Sequence, residues 1–429
     1  MRSSFLRRAA IAGAAALTLL VPGAAVSLAA PQPAGSTLPA ALIEALERDL
    51  GLSADEFLQQ SELAQRLATF AEELRVEFPD EFGGAWLDNG TPTIGVTTDS
   101  LAERVEEAGF SVKNVARSES ELHRDVLALS EWTESLAEPF RSLIQGVMVD
   151  LVRNSVVVGV ADTGPGSLDG LFDLPALMRE VGILFTPVNE ISPDESTPLR
   201  ESGSGSPHQY QAMGGDAFLA GAAGNQLRCS LGFNAEGPGA SVINITAGHC
   251  NPEGPDSSNT PATFLGGPLD GKQFGTFTQT DMNGADYGVI TIHEDFVDLF
   301  QTAGVRGGND IHVTGTADPV VGMPVCKSGV TTGFTCGVIT SANLRVDVGA
   351  RTLDNAFTAD ICALQGDSGG AIISGTRAVG VSSASDVGDF ASCADAERET
   401  SFFGEKPQLY ATPINDILNK RPDIRIRTS

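Results

Sequence analysis

The sequence predicts two unlike parts: an α+β N-terminal region with a duplicated hairpin module, then an all-β barrel or sandwich. Three observations carry this. Before residue 192, apolar residues recur at helical spacing and one hairpin pattern occurs twice. The stretch from Ser192 to Pro207 is polar and rich in Ser, Gly and Pro, the composition of an exposed linker open to proteolysis. Beyond it, short β-branched runs alternate with Gly, Pro, Asn and Asp, and all six cysteines fall between Cys229 and Cys393.

Taken in order, the chain opens with Arg2, Arg7 and Arg8, an apolar stretch from Ala9 to about Val26, and small residues ending at Ala29-Ala30. This is the form of a secretory signal with its cleavage site, so residues 1–29 are expected to be removed and the product secreted into the extracellular space. A retained membrane anchor is the alternative, and Arg7-Arg8 hints at twin-arginine export. Leu42, Leu46 and Leu50 then mark a first helix. Ser53-Ala54-Asp55-Glu56 has capping-box form before a second helix with Leu63, Leu67, Phe70 and Leu74. Gly84–Asp88 leading to Thr93–Thr97 reads as a hairpin, and Gly146–Asp150 leading to Val156–Val160 repeats it. Helices are expected at Ser100–Glu107 and Glu119–Leu143. One helix closes the chain, with Thr412 as cap, Pro413 at its first position, and Ile414, Ile417 and Leu418 on its apolar face.

With 429 residues the chain has room for two or three domains. A formal net charge of -28 excludes nucleic acid as a partner, because phosphate binding needs clustered Lys and Arg. From Gln211 onward 24 acidic residues face 13 basic ones, so most of the excess belongs to the N-terminal half. After the signal, no segment offers the roughly 18 uninterrupted apolar residues of a membrane span. Six cysteines allow 15 connectivities, of which local pairs are one choice; the competing zinc reading lacks any C-x-x-C pair and its histidines are scattered.

The chemistry-bearing motifs are Thr246-Ala247-Gly248-His249-Cys250, Ala285-Asp286-Tyr287-Gly288 and Gly366-Asp367-Ser368-Gly369-Gly370. A hydroxyl attacks a carbonyl usefully only if an imidazole takes its proton and a carboxylate fixes the tautomer and orientation of that imidazole. Ser368, His249 and Asp286 fit these roles, in the chain order His, Asp, Ser. His249 follows a predicted strand, Val242–Thr246, and Asp286 precedes another, Tyr287–Ile292. The glycines around Ser368 permit a tight loop in which the N–H groups of Gly366 and Ser368 meet at one spot and stabilise an oxyanion.

From about Gln211 to the end, these motifs resemble the bacterial chymotrypsin-like peptidases of the alpha-lytic protease and streptogrisin group. The resemblance runs also through Met213–Ala217, Arg228-Cys229-Ser230-Leu231-Gly232-Phe233, Val325–Gly329, Thr332–Gly337 and Cys362–Gly370. It implies two perpendicular six-stranded antiparallel β-barrels with the triad between them, and disulfides Cys229–Cys250, Cys326–Cys336 and Cys362–Cys393. Phe82–Asp88 is similar to the pro-region module of that family, which implies that the N-terminal half is a removable folding catalyst and inhibitor. Ser383 matches the serine that supports the triad carboxylate, and Ser383, Ala384 and Ser385 the edge strand that pairs with substrate. Lys327 stands where the family has Arg, and is expected to neutralise the buried Asp367 without a bidentate fork. A lysine at the surface is the other reading. Gln365 replaces a common Pro. Ala384-Ser385 replaces a Gly-Gly pair and is expected to narrow the primary pocket. Asp360 stands where trypsin-like enzymes bind Lys or Arg, and is read here as an exposed loop residue.

The expected organisation is a signal peptide at 1–29, a pro-region at 30–191, a linker with the maturation site at 192–210 and a serine peptidase domain at 211–429. The expected activity is a secreted serine endopeptidase acting through an acyl-enzyme, without cofactor or metal. Its expected partners are protein or peptide substrates and its own pro-region, and it is expected to be a monomer. A silent binding protein of the same fold and an esterase with the same triad are the rival readings. Tyr210 and Gln211 are candidate cut points, with Leu199 or the Gly-Ser stretch as alternatives.

Overall fold

The computed structural model describes residues 38–138, 141, 144–161, 184–188, 192–193, 210–222, 224–306, 311–348, 351–388, 390–402 and 406–429. The expected signal at 1–29 and residues 194–209 of the expected linker, Leu199 included, lie outside them. Among the described residues no helix is long and apolar enough to cross a membrane.

Helix α1 (Ala40–Asp49) buries Leu42, Ala45 and Leu46, as their spacing requires. In α2 (Ala54–Glu77) the Ser53 hydroxyl accepts from the Glu56 N–H while the Glu56 carboxylate accepts from the Ser53 N–H, completing the capping box. Strands β1 (Phe82–Asp88) and β2 (Thr91–Val96) form the first hairpin. They turn at Asn89-Gly90, both with positive φ, the twist that a two-residue hairpin turn prefers. Helix α3 (Asp99–Glu107) then returns the chain so that β3 (Ser111–Asn114) lies parallel to β2.

Helix α4 (Glu119–Glu134) stops short of the expected Leu143. Pro139, which cannot continue a helix, lies just ahead in the sequence. Strands β4 (Ile144–Asp150) and β5 (Ser155–Ala161) then form the second hairpin, and β6 (Leu184–Val188) runs parallel to β5. The duplication is therefore an antiparallel hairpin plus a parallel third strand, made twice. Strand β7 (Ser192–Pro193) departs from expectation: the start of the supposed linker is paired into a sheet.

The C-terminal part starts with β8 (Ala217–Ala220), β9 (Leu227–Ser230), β10 (Phe233–Glu236), β11 (Val242–Thr246) and β12 (Pro261–Phe264). It continues with β13 (Gln273–Asp281), β14 (Asn283–Gly284), β15 (Tyr287–Ile292), α5 (Val297–Phe300), β16 (Gly304–Val305) and β17 (Ile311–His312). Then come β18 (Gly315–Thr316), β19 (Pro324–Gly329), β20 (Gly333–Val348), β21 (Arg351–Ala359), β22 (Ala371–Ser374) and β23 (Arg377–Ser385). The chain closes with α6 (Cys393–Phe402), β24 (Leu409–Pro413), α7 (Ile414–Lys420) and β25 (Arg425–Ile426).

These strands form two principal sheets, the larger of which takes in strands from the N-terminal region. The first has the order β25-β10-β11-β15-β13-β12-β8-β9, all antiparallel. Phe218, Phe264, Phe274, Phe277 and Phe300 fill its interior and stack on one another. The second has the order β14-β21-β24-β23-β22-β19-β20-β4-β5-β6. Both hold more than six strands: the first has eight, and the second has twelve, among them β4 to β6 of the N-terminal region.

That extension changes the picture of the N-terminal half. The sequence suggested a compact α+β unit of its own, but residues 38–429 form one unit. Leu42, Leu46 and Phe57 share a core with the first sheet, and Leu67, Leu74 and Phe82 share one with Val325, Ile339 and Phe357. Backbone pairing adds direction: Arg345 and Val346 of β20 pair with Val147 and Gly146 of β4.

Candidate active site

His249 sits on a single turn, Gly248–Cys250, that leaves the end of β11. The turn is fixed on both sides. A Cβ at Gly248 would lie 2.3 Å from the Asp281 carbonyl, so only glycine fits, and the Cys229–Cys250 disulfide ties the turn to β9. Asp286 lies between β14 and β15, and its N–H donates to the Thr412 hydroxyl at 3.1 Å. Thr412 is thus occupied by Asp286 and does not cap α7; Pro413 holds the cap position.

Ser368 lies in a loop where Gly366 and Gly369 have φ of 97° and 82°. A Cβ at Gly369 would fall 2.0 Å from Thr246 Oγ1, which excludes any other residue. The Ser368 carbonyl accepts from the Ser230 N–H at 2.8 Å, binding the loop to β9.

These three elements bring the side chains into one line. His249 Nε2 is 2.7 Å from Ser368 Oγ, and His249 Nδ1 is 2.7 Å from Asp286 Oδ2. The His249 N–H donates to Asp286 Oδ1 at 2.9 Å, and Ser383 Oγ donates to Oδ2 at 2.5 Å. Asp286 has no exposed surface. Burial pushes its carboxyl up, but His249 and Arg351 outweigh that and hold it far below the usual carboxylate range. Burial also lowers the pKa of His249 from 6.5; Asp286 opposes this and Arg351 adds to it.

Beneath the loop, Lys327 Nζ lies 3.1 Å from Asp367 Oδ2, and both side chains are fully buried. Lys327 is therefore not a surface lysine. Asp367 also accepts from the N–H groups of Thr331, Thr332 and Leu364, and from the Thr332 hydroxyl. The Gln365 carbonyl accepts from Thr331 Oγ1 at 2.6 Å, and Thr331 Oγ1 accepts from Arg228 at 3.2 Å. In a trans peptide the N–H points opposite to the carbonyl, so this anchor turns the Gly366 N–H away from Thr331.

Ala384 and Ser385 occupy the end of β23, with β24 on one side and β7 on the other. Ala384 packs with Leu344, Val346, Leu353 and Tyr410, and Ser385 Oγ turns back to accept from the Val387 N–H. Asp360 is not an exposed loop residue either: its side chain is 8% exposed, bound to Lys406 at 2.6 Å and to the Val338 N–H. Beside the loop lies a cleft of about 1260 Å³ lined by Arg228, Thr331, Gln365, Asp360 and Lys406, with Arg48 and Asp49 of α1 also on its wall.

The remaining cysteines pair as Cys326–Cys336 and Cys362–Cys393. Among the described residues no group of three or more His, Cys, Asp or Glu side chains is arranged to hold a metal ion. Sequence reasoning missed Arg351, whose guanidinium touches Asp286; its neighbourhood, Val348-Gly349-Ala350-Arg351-Thr352, carries no motif that could have found it.

Comparison with known proteins gives the family. Residues 220–403 match the trypsin family model, and residues 55–115 match that of the alpha-lytic protease pro N-terminal region. Streptogrisin-C of Streptomyces griseus is 28% identical over 397 residues, 89% of this chain and 79% of the relative. Glutamyl endopeptidase 2 of the same organism is 34% identical over 173 residues, 40% of this chain and 85% of the relative. Among solved structures, the Nocardiopsis protease is 30% identical and matched over its whole length by 51% of this chain, with a TM-score of 0.40. The class defined is that of serine endopeptidases with a chymotrypsin-like fold. Within it, this chain belongs to the alpha-lytic protease and streptogrisin group, and its residues 55–115 match the pro-region model of that group.

Replacing Lys327 with Met should leave the Asp367 charge buried and unpaired, lowering stability by about 3–5 kcal/mol. Urea unfolding of the two chains measures this, and an unchanged midpoint would refute the pairing.

Proposed function

We propose that this serine endopeptidase works through His249, Asp286 and Ser368 and is made as a secreted precursor. The observation that carries the reading is the pair of 2.7 Å contacts from one imidazole to Ser368 Oγ and to Asp286 Oδ2. Ser368 Oγ attacks the peptide carbonyl carbon while its proton passes to His249 Nε2. The resulting oxyanion is held by the N–H groups of Gly366 and Ser368. His249 then gives that proton to the leaving amine as the C–N bond breaks. Water, deprotonated by the same imidazole, releases the acyl group and restores the hydroxyl. Asp286 stays ionised throughout and keeps Nδ1 protonated, with Ser383 as its support. Lys327 and Asp367 hold the loop from below.

In this reading residues 1–29 direct export, residues 30–191 assist folding, and a cut within 192–210 frees a peptidase domain spanning 211–429. Protein and peptide substrates are bound along Ser383, Ala384 and Ser385. The start of the linker that follows the N-terminal half supports an inhibitory role by its position: Ser192 and Pro193 pair antiparallel with Ser385 and Ala384, along the edge an extended substrate needs. The shared cores of the N-terminal half and the peptidase part support a folding role, since apolar side chains of each half are buried against those of the other.

Changing Ser368 to Ala should lower the peptide hydrolysis rate by on the order of 10⁶ and abolish labelling by a serine-directed phosphonate. Retained hydrolysis in that variant would remove the triad reading. Because neutral His249 is the proton acceptor and burial lowers its pKa, kcat/KM should fall with decreasing pH through a limb below 6.5. A rate profile flat from pH 4 to 9 would contradict this. Residues 211–429 expressed alone should be inactive and should gain activity when residues 30–191 are added in trans; full activity without them would exclude the folding role.

A further inference from the structure

Arg351 opens strand β21 and is almost entirely buried, its side chain 5% exposed. Parallel pairing of β14 with β21, Asn283 with Thr352 and Gly284 with Leu353, sets it beside the loop that carries Asp286. Its Nη1 donates to Asp286 Oδ2 at 2.8 Å. That oxygen already accepts from His249 Nδ1 and Ser383 Oγ, so three donors converge on one carboxylate atom. Among the described residues, Asp286 is the only ion-pair partner of this guanidinium, and Nη2 makes no hydrogen bond. A cation with one bond to a catalytic carboxylate and an idle nitrogen is poorly explained by stability alone, because burying it is expensive.

We propose that Arg351 is a positioning residue that sets the basicity of the triad, by sharing the Asp286 carboxylate with His249 and opposing the charge of the imidazolium. The proposal rests on the triad reading above. In the resting enzyme Asp286 and Arg351 neutralise one another and His249 is neutral. When His249 takes the proton of Ser368, a second positive charge enters a pocket that has one negative charge. Arg351 therefore raises the cost of the imidazolium and holds the enzyme active at lower pH than a simple Asp–His pair would. Among the described residues, the charged side chains that shift the titration of His249 are Asp286 and Arg351. The nearby acids are engaged elsewhere: Asp281 with Lys420, Asp347 with Thr352 and Asp354 with Arg345. Ser368, Ser383 and Thr412, which also contact the pair, carry no charge.

The test is the pH profile of kcat/KM in the secreted enzyme and its Arg351→Gln and Arg351→Lys variants. A unit charge about 6 Å from the imidazole, in a medium of effective dielectric about 20–40, moves its titration by roughly 1–2 pH units. Arg351→Gln should therefore shift the acid limb to higher pH by about that amount, while Arg351→Lys keeps the limb near the parent position with a lower kcat. An active Arg351→Gln enzyme whose limb coincides with the parent overturns the proposal; a merely structural arginine would alter yield or kcat and leave the limb in place. Loss of all activity in Ser368→Ala tests the triad separately, so the two failures cannot be confused. If Arg351→Gln does not fold, nuclear magnetic resonance titration of His249 in the full-length Ser368→Ala chain decides. Because burial alone also lowers this pKa, it is compared with that of the Ser368→Ala/Arg351→Met chain, which should titrate about 1–2 pH units higher; equal values in the two overturn the proposal.

Discussion

A carboxylate with no exposed surface stands at the junction of everything in this molecule. Asp286 can remain ionised there only because donors reach it from separate parts of the chain: the turn after β11, the end of β23 and the start of β21. Its own N–H is met by Thr412 of β24. Withdrawing any of these strands would leave a buried charge short of partners, so one side chain obliges the two sheets to meet in one way. Fold and chemistry are not separable here; the geometry that orients an imidazole is the geometry that joins the two sheets.

Much of this was legible in the residues, and the legible parts share a physical cause. Glycines at 248, 366 and 369 stand where a Cβ would collide or φ is positive, and such constraints show as short motifs. Ser53 and Glu56 are a local device, readable because both partners lie within four residues. What could not be read was set by distant partners. Thr412 looked like a cap because its sequence neighbours are helical, yet its hydroxyl was taken by Asp286 across the molecule. The same is true of Arg351 and of Asp360, whose partner Lys406 is far along the chain. The apolar residues clustered with Ala384 likewise come from the distant β20–β21 hairpin and from Tyr410 of β24.

The division into halves shows the same limit. Charge, cysteine content and periodicity all change near residue 200, and the family matches fall on either side of it. Composition reports how each half is stabilised, however, and not where its surfaces go. Strands β4 and β5 read as a self-contained hairpin because the pattern within them is local, but their outer neighbour is β20, about two hundred residues away. Cores shared by both halves leave no boundary in space that corresponds to the boundary in sequence.

Strand β20 has two destinies written into it. While β4 is present it is an interior strand; were residues 144–161 removed, the stretch around Arg345 and Val346 would become the rim of the sheet, a template for any passing chain. Leu344, Val346 and Val348 face inward, while Arg345 and Asp347 alternate with them on the other face. At a bare rim such opposite charges, two residues apart, would disfavour recruitment of a second copy. The same strand is thus suited both to pairing and to standing at an edge, and its outward charges would guard such an edge against fibre-like stacking.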